Sequence, residues 1–478
     1  MRINLKNINL IIIGLVAGVL ATLQSSTSAI QNTISILPFD QLRLLNEVFS
    51  WIKYEYVGKV DDKKLINSAI KGMVASLDPH SEFLSKTDYN ELEKEMTGHF
   101  AGIGIEVAQE SGLLKIISQI DDAPAFRAGI RPGDLIIRIN NKPVFGITLN
   151  NLIKQMRGEP GTKVTLTIYR KNKDRMFHVT VTRAIIKIKS VKMKLLKPGY
   201  AYIRIISFQE KTIADLVDQL QDIDRYQPNL KGLILDLRDN SGGLLKSAVG
   251  VASVFLPLNS VIVSTKGKIS DFNRVYRDTF DDYCLPNFKS DPLKKLPEVF
   301  KKIPMIVLTN AYSASASEIV SGALQDSKRA IIMGKTTFGK GSVQTVQQIT
   351  DETALRLTTA YYYTPNGRSI QNKGIIPNIL VDQYRDGDPD DVLVMREIDY
   401  INHLENTQNL NEKNELDRYE QHQLDRLFFL KKQNNIKLLK QKRERRFVEF
   451  GSKDDFMMQQ ALNKFQGKSV QKSKYMLR

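Results

Sequence analysis

Between residues 39 and 75 apolar side chains recur every three or four positions. Leu42, Leu45, Val48 and Phe49 fall on one face of a helix, and Leu65, Ile66, Ile70 and Val74 on one face of a second that Asp61 and Asp62 cap. Ser76-Leu77-Asp78-Pro79-His80-Ser81 breaks this period, and its polar side chains read as caps and turn bonds around Pro79. From 99 to 184 the pattern turns to short β-rich runs at 104–107, 114–117, 135–139 and 164–169, with turn signals such as Arg131-Pro132-Gly133-Asp134 between them. Two short helices fit near 124–128 and 149–156. Beyond 200 the runs become nearly all apolar, at 232–237, 305–308 and 330–333, as strands buried on both faces require. Helical periods follow the first two, over 243–255 and 315–324. The expected architecture is multi-domain α/β: a helical region over 30–98, a β-rich module over 99–184, an α/β core over 185–385, and a polar, basic helical region over 386–478.

The first residues follow a different rule. Met1-Arg2-Ile3-Asn4-Leu5-Lys6 carries two cations, Ile8 to Leu23 is mostly apolar, and Ser, Thr and Gln follow. That order is the signature of a secretory leader, with Thr27-x-Ala29 or Val19-x-Ala21 as a cleavage site. The run falls short of the roughly 20 residues of a spanning helix. Residues 1–29 are therefore expected to be a signal peptide or, if retained, a membrane anchor. The remainder is expected outside the cytoplasm, periplasmic or attached to the outer face of the cytoplasmic membrane.

Composition narrows the chemistry. The 478 residues carry a formal charge of +17, which favours acidic partners. Export argues against nucleic acid, leaving anionic membrane surfaces and polypeptides. The polar, basic stretch from about 401 to 450, in which Lys431 to Arg446 carries eight Lys and Arg to one Glu, reads as a solvated helix face, a membrane contact or a partner-docking helix. One cysteine, Cys284, excludes an internal disulfide, and five histidines far apart offer no metal-ligand pair. Neither a metal nor a cofactor is expected.

Val307-Leu308-Thr309-Asn310-Ala311-Tyr312-Ser313-Ala314-Ser315-Ala316-Ser317-Glu318 runs from a buried strand through small residues into a helix. A serine raised there meets free backbone N–H groups and the positive end of the helix dipole, where negative charge is favoured. The pattern leaves Ser313, Ser315 and Ser317 open. No histidine lies in the α/β region to serve as base, and no G-x-S-x-G elbow is present. Gly334-Lys335-Thr336 imitates the end of a phosphate loop, but position 329, which would need glycine, is Arg329. A neutral lysine is an alternative base, at a cost of roughly three pKa units, about 4 kcal/mol, which burial supplies. Lys340 sits among Phe338, Gly339 and Gly341, and on an extended segment it shares a face with Ser342 and Gln344. Gly242 and Gly243, between a buried strand and a helix, leave amides aimed at open space as half of an oxyanion hole.

In order and spacing these pieces resemble the carboxyl-terminal processing, or tail-specific, proteases from about Phe39 to Asp382. The resemblance rests on Leu77-Asp78-Pro79-His80-Ser81, Gly102-Ile103-Gly104-Ile105, Asp236-Leu237-Arg238, Gly242-Gly243 and Ser313–Glu318. Phe338-Gly339-Lys340-Gly341 with Gln344, and Tyr363-Thr364-Pro365-Asn366-Gly367-Arg368-Ser369-Ile370, complete it. It implies a crotonase- or ClpP-like α/β core with an inserted PDZ domain at 99–184, and a Ser/Lys dyad whose members lie 25 positions apart. That spacing selects Ser315 and Lys340, with Gln344 assisting. It further implies an oxyanion hole from the Ala316 amide and that of Gly242 or Gly243, and a grip on a substrate's terminal carboxylate by Gly102, Ile103, Gly104 and Ile105. The expected partners are polypeptides with free C-termini, together with a regulatory adaptor or a second copy of the chain. A catalytically silent PDZ scaffold is opposed by the complete Ser315, Lys340 and Gln344 set. A crotonase-type acyl-CoA enzyme is opposed by export and the PDZ module.

Overall fold

The computed structural model describes residues 38–385, 395–405 and 448–472, apart from 111–112, 120–122, 132, 148, 171–174, 188–189, 287 and 401. The leader-like segment 1–29 and the Lys431–Arg446 run lie outside the described residues. Two compact units divide the chain, residues 1–70 and 71–478. In the first, the expected helix forms over Phe39–Glu55, yet none of its residues is buried, and Leu42, Leu45 and Val48 lie exposed.

The second unit is built on a six-stranded sheet in the order Val191–Leu195, Tyr200–Ile205, Gly232–Asp236, Met305–Thr309, Ile331–Gly334 and Ile379–Leu380. The first pair is antiparallel and every later pair parallel. Gly232–Asp236 and Met305–Thr309 are buried at every position, as their apolar runs demand. Alternate residues divide between two cores. Leu233, Leu235, Met305 and Val307 face helices Thr212–Tyr226, Leu245–Phe255 and Ala316–Asp326. Ile234, Ile306, Leu308 and Met333 face Met457, Met458, Ala461 and Leu462 of helix Phe456–Phe465.

That second face is covered by residues beyond the expected core boundary at 385. A parallel sheet must be covered on both sides, and a segment expected outside the core supplies the cover. Arg238, fully buried, pins this helix with Nη2 2.6 Å from Asp455 Oδ2 and 2.6 Å from Asp236 Oδ2, and its guanidinium lies 4.0 Å from the Phe450 ring centroid. Residues 395–405 return to the core as well, through Glu397. The N-terminal helical region also departs from expectation. Glu82–Ser85 is a strand that pairs antiparallel with Thr353–Tyr363, because buried Phe83 and Leu84 complete a second, antiparallel sheet.

The β-rich module forms its own sheet, in the order Ile105–Glu110, Leu113–Gln119, Leu135–Ile139, Lys163–Arg170 and Arg175–Thr182, around a separate core that includes Leu114, Ile136 and Leu166. The chain enters and leaves it along one antiparallel ribbon, His99–Gly102 against Ala184–Lys187. Ile105–Glu110 is an edge strand of this sheet. Gly104 turns into it at φ +76°, where an added Cβ would stand 2.3 Å from Ala123 Cβ. Among the described residues no helix is long and apolar enough to cross a membrane.

Candidate active site

The strand Met305–Thr309 ends in a turn whose three serines have different fates. Ser313 is buried and its hydroxyl donates to the Leu237 carbonyl at 2.7 Å. Ser317 is buried and donates to the Asn240 carbonyl at 2.8 Å. Ser315 is half-buried on the wall of a cavity of about 580 Å³. It stands at φ +53°, ψ −112°, a region that side-chain-bearing residues rarely occupy, immediately before helix Ala316–Asp326. Such backbone strain costs of order 1–3 kcal/mol and persists only where the surroundings enforce it.

Glu318, fully buried one helical turn on, is what enforces it. Its Oε2 accepts from the Ser315 amide at 2.8 Å and the Lys340 amide at 2.9 Å, while Oε1 accepts from the Gly339 amide at 2.7 Å and the Thr337 hydroxyl. Burial pushes its pKa up to about 7, against the pull of these four donors.

The loop after Gly232–Asp236 closes the other side of the cavity. The Ala314 amide donates to the Asn240 carbonyl at 3.0 Å, and Asn240 Nδ2 donates to the Ile205 carbonyl at 2.9 Å. Gly242 lies so close to the serine turn that an added Cβ would come within 2.8 Å of Ser315 Cβ. The two candidate glycines differ. The Gly242 amide donates to Asn240 Oδ1 at 2.9 Å, whereas among the described residues the Gly243 and Ala316 amides have no partner, and both residues line the cavity.

Lys340 lines the same cavity as Ser315. Burial pushes its amine below the usual lysine range and the Arg356 guanidinium adds to the effect, while Glu397, Asp78 and Glu318 oppose it. Lys335 is placed differently: it is buried, with Nζ 2.6 Å from Asp382 Oδ1. Among the described residues no hydrogen bond joins the Ser315 hydroxyl to the Lys340 amine. Tyr362 stands at this point, its hydroxyl donating to the Lys340 carbonyl. Gln344 also lines the cavity, but its Nε2 donates to Ser342 Oγ at 3.0 Å and Thr358 Oγ1 at 3.1 Å, and no hydrogen bond joins it to Lys340.

The Asp78-Pro79-His80-Ser81 turn, read from its residues as local caps and counted among the marks of the resemblance, reaches this site. Asp78 Oδ1 accepts from Thr358 Oγ1 at 3.1 Å, so the turn is joined to Gln344 through Thr358. Burial opposes the charge on Asp78, yet bonds from Ser81 and the His80 amide hold its carboxyl below the usual range. His80 Nε2 lies 2.9 Å from buried Glu397, and the Arg356 guanidinium donates to the His80 carbonyl at 3.1 Å. Glu318 and Arg356 were not singled out as site residues in the sequence. Glu318 was visible as the last residue of the quoted serine motif, but Arg356 carries no local signal at all.

Among the described residues no group of three His, Cys, Asp or Glu side chains is placed to hold a metal ion. The arrangement suits acyl transfer, with a hydroxyl carried on a strained turn, free amides beside it and an amine of lowered basicity on one cavity. Models of three families match the chain: peptidase family S41 over 199–381, a PDZ domain over 101–181, and the N-terminal domain of activating protease CtpB over 16–88. A carboxy-terminal-processing protease of Bartonella bacilliformis is 45% identical over 360 residues, 75% of this chain and 78% of that protein. The carboxy-terminal processing protease CtpA of Bacillus subtilis is 34% identical over 70% of this chain and 68% of its own length. A solved photosystem II D1 C-terminal processing protease, at 27% identity and TM-score 0.44, covers 72% of this chain and 87% of its own. The chain therefore belongs to the carboxy-terminal-processing proteases of peptidase family S41, a serine-type peptidase family, and carries a PDZ domain.

Proposed function

We propose that the protein is an exported serine endopeptidase that selects polypeptides by their free C-terminal tails and cleaves them with a Ser315/Lys340 dyad. One observation carries this reading. Of the three serines and two lysines in the candidate segments, Ser315 and Lys340 face the cavity, while Ser313, Ser317 and Lys335 are buried in other bonds.

In this reading Ser315 Oγ attacks the scissile carbonyl carbon and neutral Lys340 takes its proton. The carbonyl oxygen becomes an oxyanion held by the Gly243 and Ala316 amides. Lys340 returns the proton to the departing amine as the C–N bond breaks. Water then attacks the ester with Lys340 again as base, releasing the acid and restoring Ser315. Catalytic hydrogen bonds in unliganded sites are commonly long and tighten on substrate binding, and in this reading Lys340 reaches Ser315 in the substrate complex. Gln344, on the wall of the same cavity, is assigned as a positioning residue for Lys340. The substrate tail adds as a strand to Ile105–Glu110, its carboxylate held by the amides of residues 102–105.

The test is labelling by a serine-directed fluorophosphonate, followed by mapping of the modified residue. Labelling at Ser315, abolished in Lys340→Ala, is expected together with loss of proteolysis in both single variants. An unlabelled protein without proteolysis would mark a silent PDZ scaffold. The leader-like segment supports export, which N-terminal sequencing of the mature protein checks. A homo-oligomer, an adaptor or contact with an anionic membrane fits the basic 401–450 stretch, and vesicle flotation with and without that stretch distinguishes the last.

A further inference from the structure

Lys340 borders two cavities. The first holds Ser315 and the free Gly243 and Ala316 amides over an apolar floor that includes Leu244, Leu245 and Ile319. The second, also about 580 Å³, is lined by Tyr312, Phe338, Tyr400, His80, Asp239 and Ala314. Among the described residues only Lys340 and Ser241 line both.

A scissile peptide must satisfy three demands at once. Its carbonyl oxygen points to the free amides, so the carbonyl and the acyl half occupy the first cavity. Its carbonyl carbon meets Ser315. Its departing nitrogen meets the amine that protonates it, Lys340. A chain that obeys all three passes Lys340 and Ser241 and continues into the second cavity. We propose that this second cavity is the subsite for residues on the C-terminal side of the scissile bond, and that it favours apolar or aromatic side chains over acidic ones.

The lining supports that chemistry. Phe338 and Tyr400 meet edge to face with centroids 6.1 Å apart. Tyr312, 55% exposed, and Tyr400, 36% exposed, leave ring surface for a guest side chain. Asp239 is exposed at the rim and repels a carboxylate. The polar edge of His80 is already engaged, with Nε2 2.9 Å from Glu397. The proposal rests on the Ser315/Lys340 reading.

It is tested with internally quenched peptides that share one acyl half and one C-terminal tail and differ only in the first two residues after the cleaved bond. Full-length protein is expected to prefer Phe or Leu over Glu there by about tenfold in kcat/KM, the size of an aromatic contact with its area. Tyr312→Ala and Tyr400→Ala should flatten that preference to within about twofold and leave the preference for the residue before the cleaved bond unchanged. A second pair, Tyr312→Phe and Tyr400→Phe, should retain it, because the ring and not the hydroxyl makes the contact. A preference that survives both alanine substitutions, or that moves on the acyl side instead, overturns the proposal while the dyad stands. Cleavage of these peptides by Ser315→Ala overturns the dyad and the proposal with it.

Discussion

Ser315 and Lys340 hang from a single carboxylate oxygen: Glu318 Oε2 accepts the amide of the first at 2.8 Å and of the second at 2.9 Å. The strand-to-helix turn and the Gly-rich loop 25 residues later are thereby held in one register. Glu318→Gln places an amide NH₂ among groups that themselves donate, so kcat should fall by about 10²-fold with a smaller change in KM. The variant also reports on stability. The pKa of Glu318 is raised to about 7 in the fold, so its favourable contribution is complete below its unfolded value of 4.5 and is lost as pH rises to 7. The melting temperature of wild type minus that of Glu318→Gln should therefore fall between pH 4.5 and 7. A difference independent of pH would refute the shift.

Lys340 is buried at a cost in stability. Its pKa is lowered in the fold, mainly by burial, so the charged form is penalised at neutral pH. Its contribution is complete only above the unfolded lysine pKa and is lost as pH falls through the folded value. Lys340→Met should abolish proteolysis yet raise the melting temperature at pH 7. In wild type, activity should decline on the acid side as the amine gains a proton, and calorimetry across that range should show no unfolding.

Lys335→Ala should behave in the opposite way. It strands Asp382, which is buried 2.6 Å away, and breaking such a pair costs about 3–5 kcal/mol. Urea denaturation should show that loss, and the surviving folded enzyme should keep its kcat. A folded but inactive Lys335→Ala would mean that the base has been misassigned.

Ser315→Gly and Ser315→Ala should both be inactive but unequal in stability. Glycine tolerates φ +53°, ψ −112° and alanine does not, so the glycine variant should be about 1 kcal/mol more stable by chemical denaturation. Equal stabilities would show that the turn is relaxed.

Truncation after residue 405 should unfold the core rather than release an active fragment. It removes Met457, Met458, Ala461 and Leu462 from one face of the central sheet and takes Asp455 from buried Arg238. Asp455→Ala alone should cost about 3–5 kcal/mol in urea denaturation. A truncated chain that still cleaves casein would show that the core folds without this cover.

What the sequence determined is local. The unbroken apolar runs at 232–237 and 305–308 made buried strands inescapable, because only a sheet covered on both faces hides such runs. The small residues before Glu318 and the glycines at 242 and 243 marked where backbone comes close to backbone. The alternating runs and turns of the PDZ module were equally plain. What covers the second face of the central sheet was not legible, because an amphipathic helix at 456–465 does not name its partner. Nor was the strand Glu82–Ser85, whose pairing with Thr353–Tyr363 is set by contacts about 270 positions apart. The spacing of the resembling family already pointed to Ser315, but the tertiary structure alone decided which glycine keeps its amide free, that Glu318 ties both halves of the site together, and that the Asp78–Ser81 turn reaches Gln344. Each of these depends on distances between segments remote in the chain, and a one-dimensional pattern of residue types fixes composition and period but not those distances.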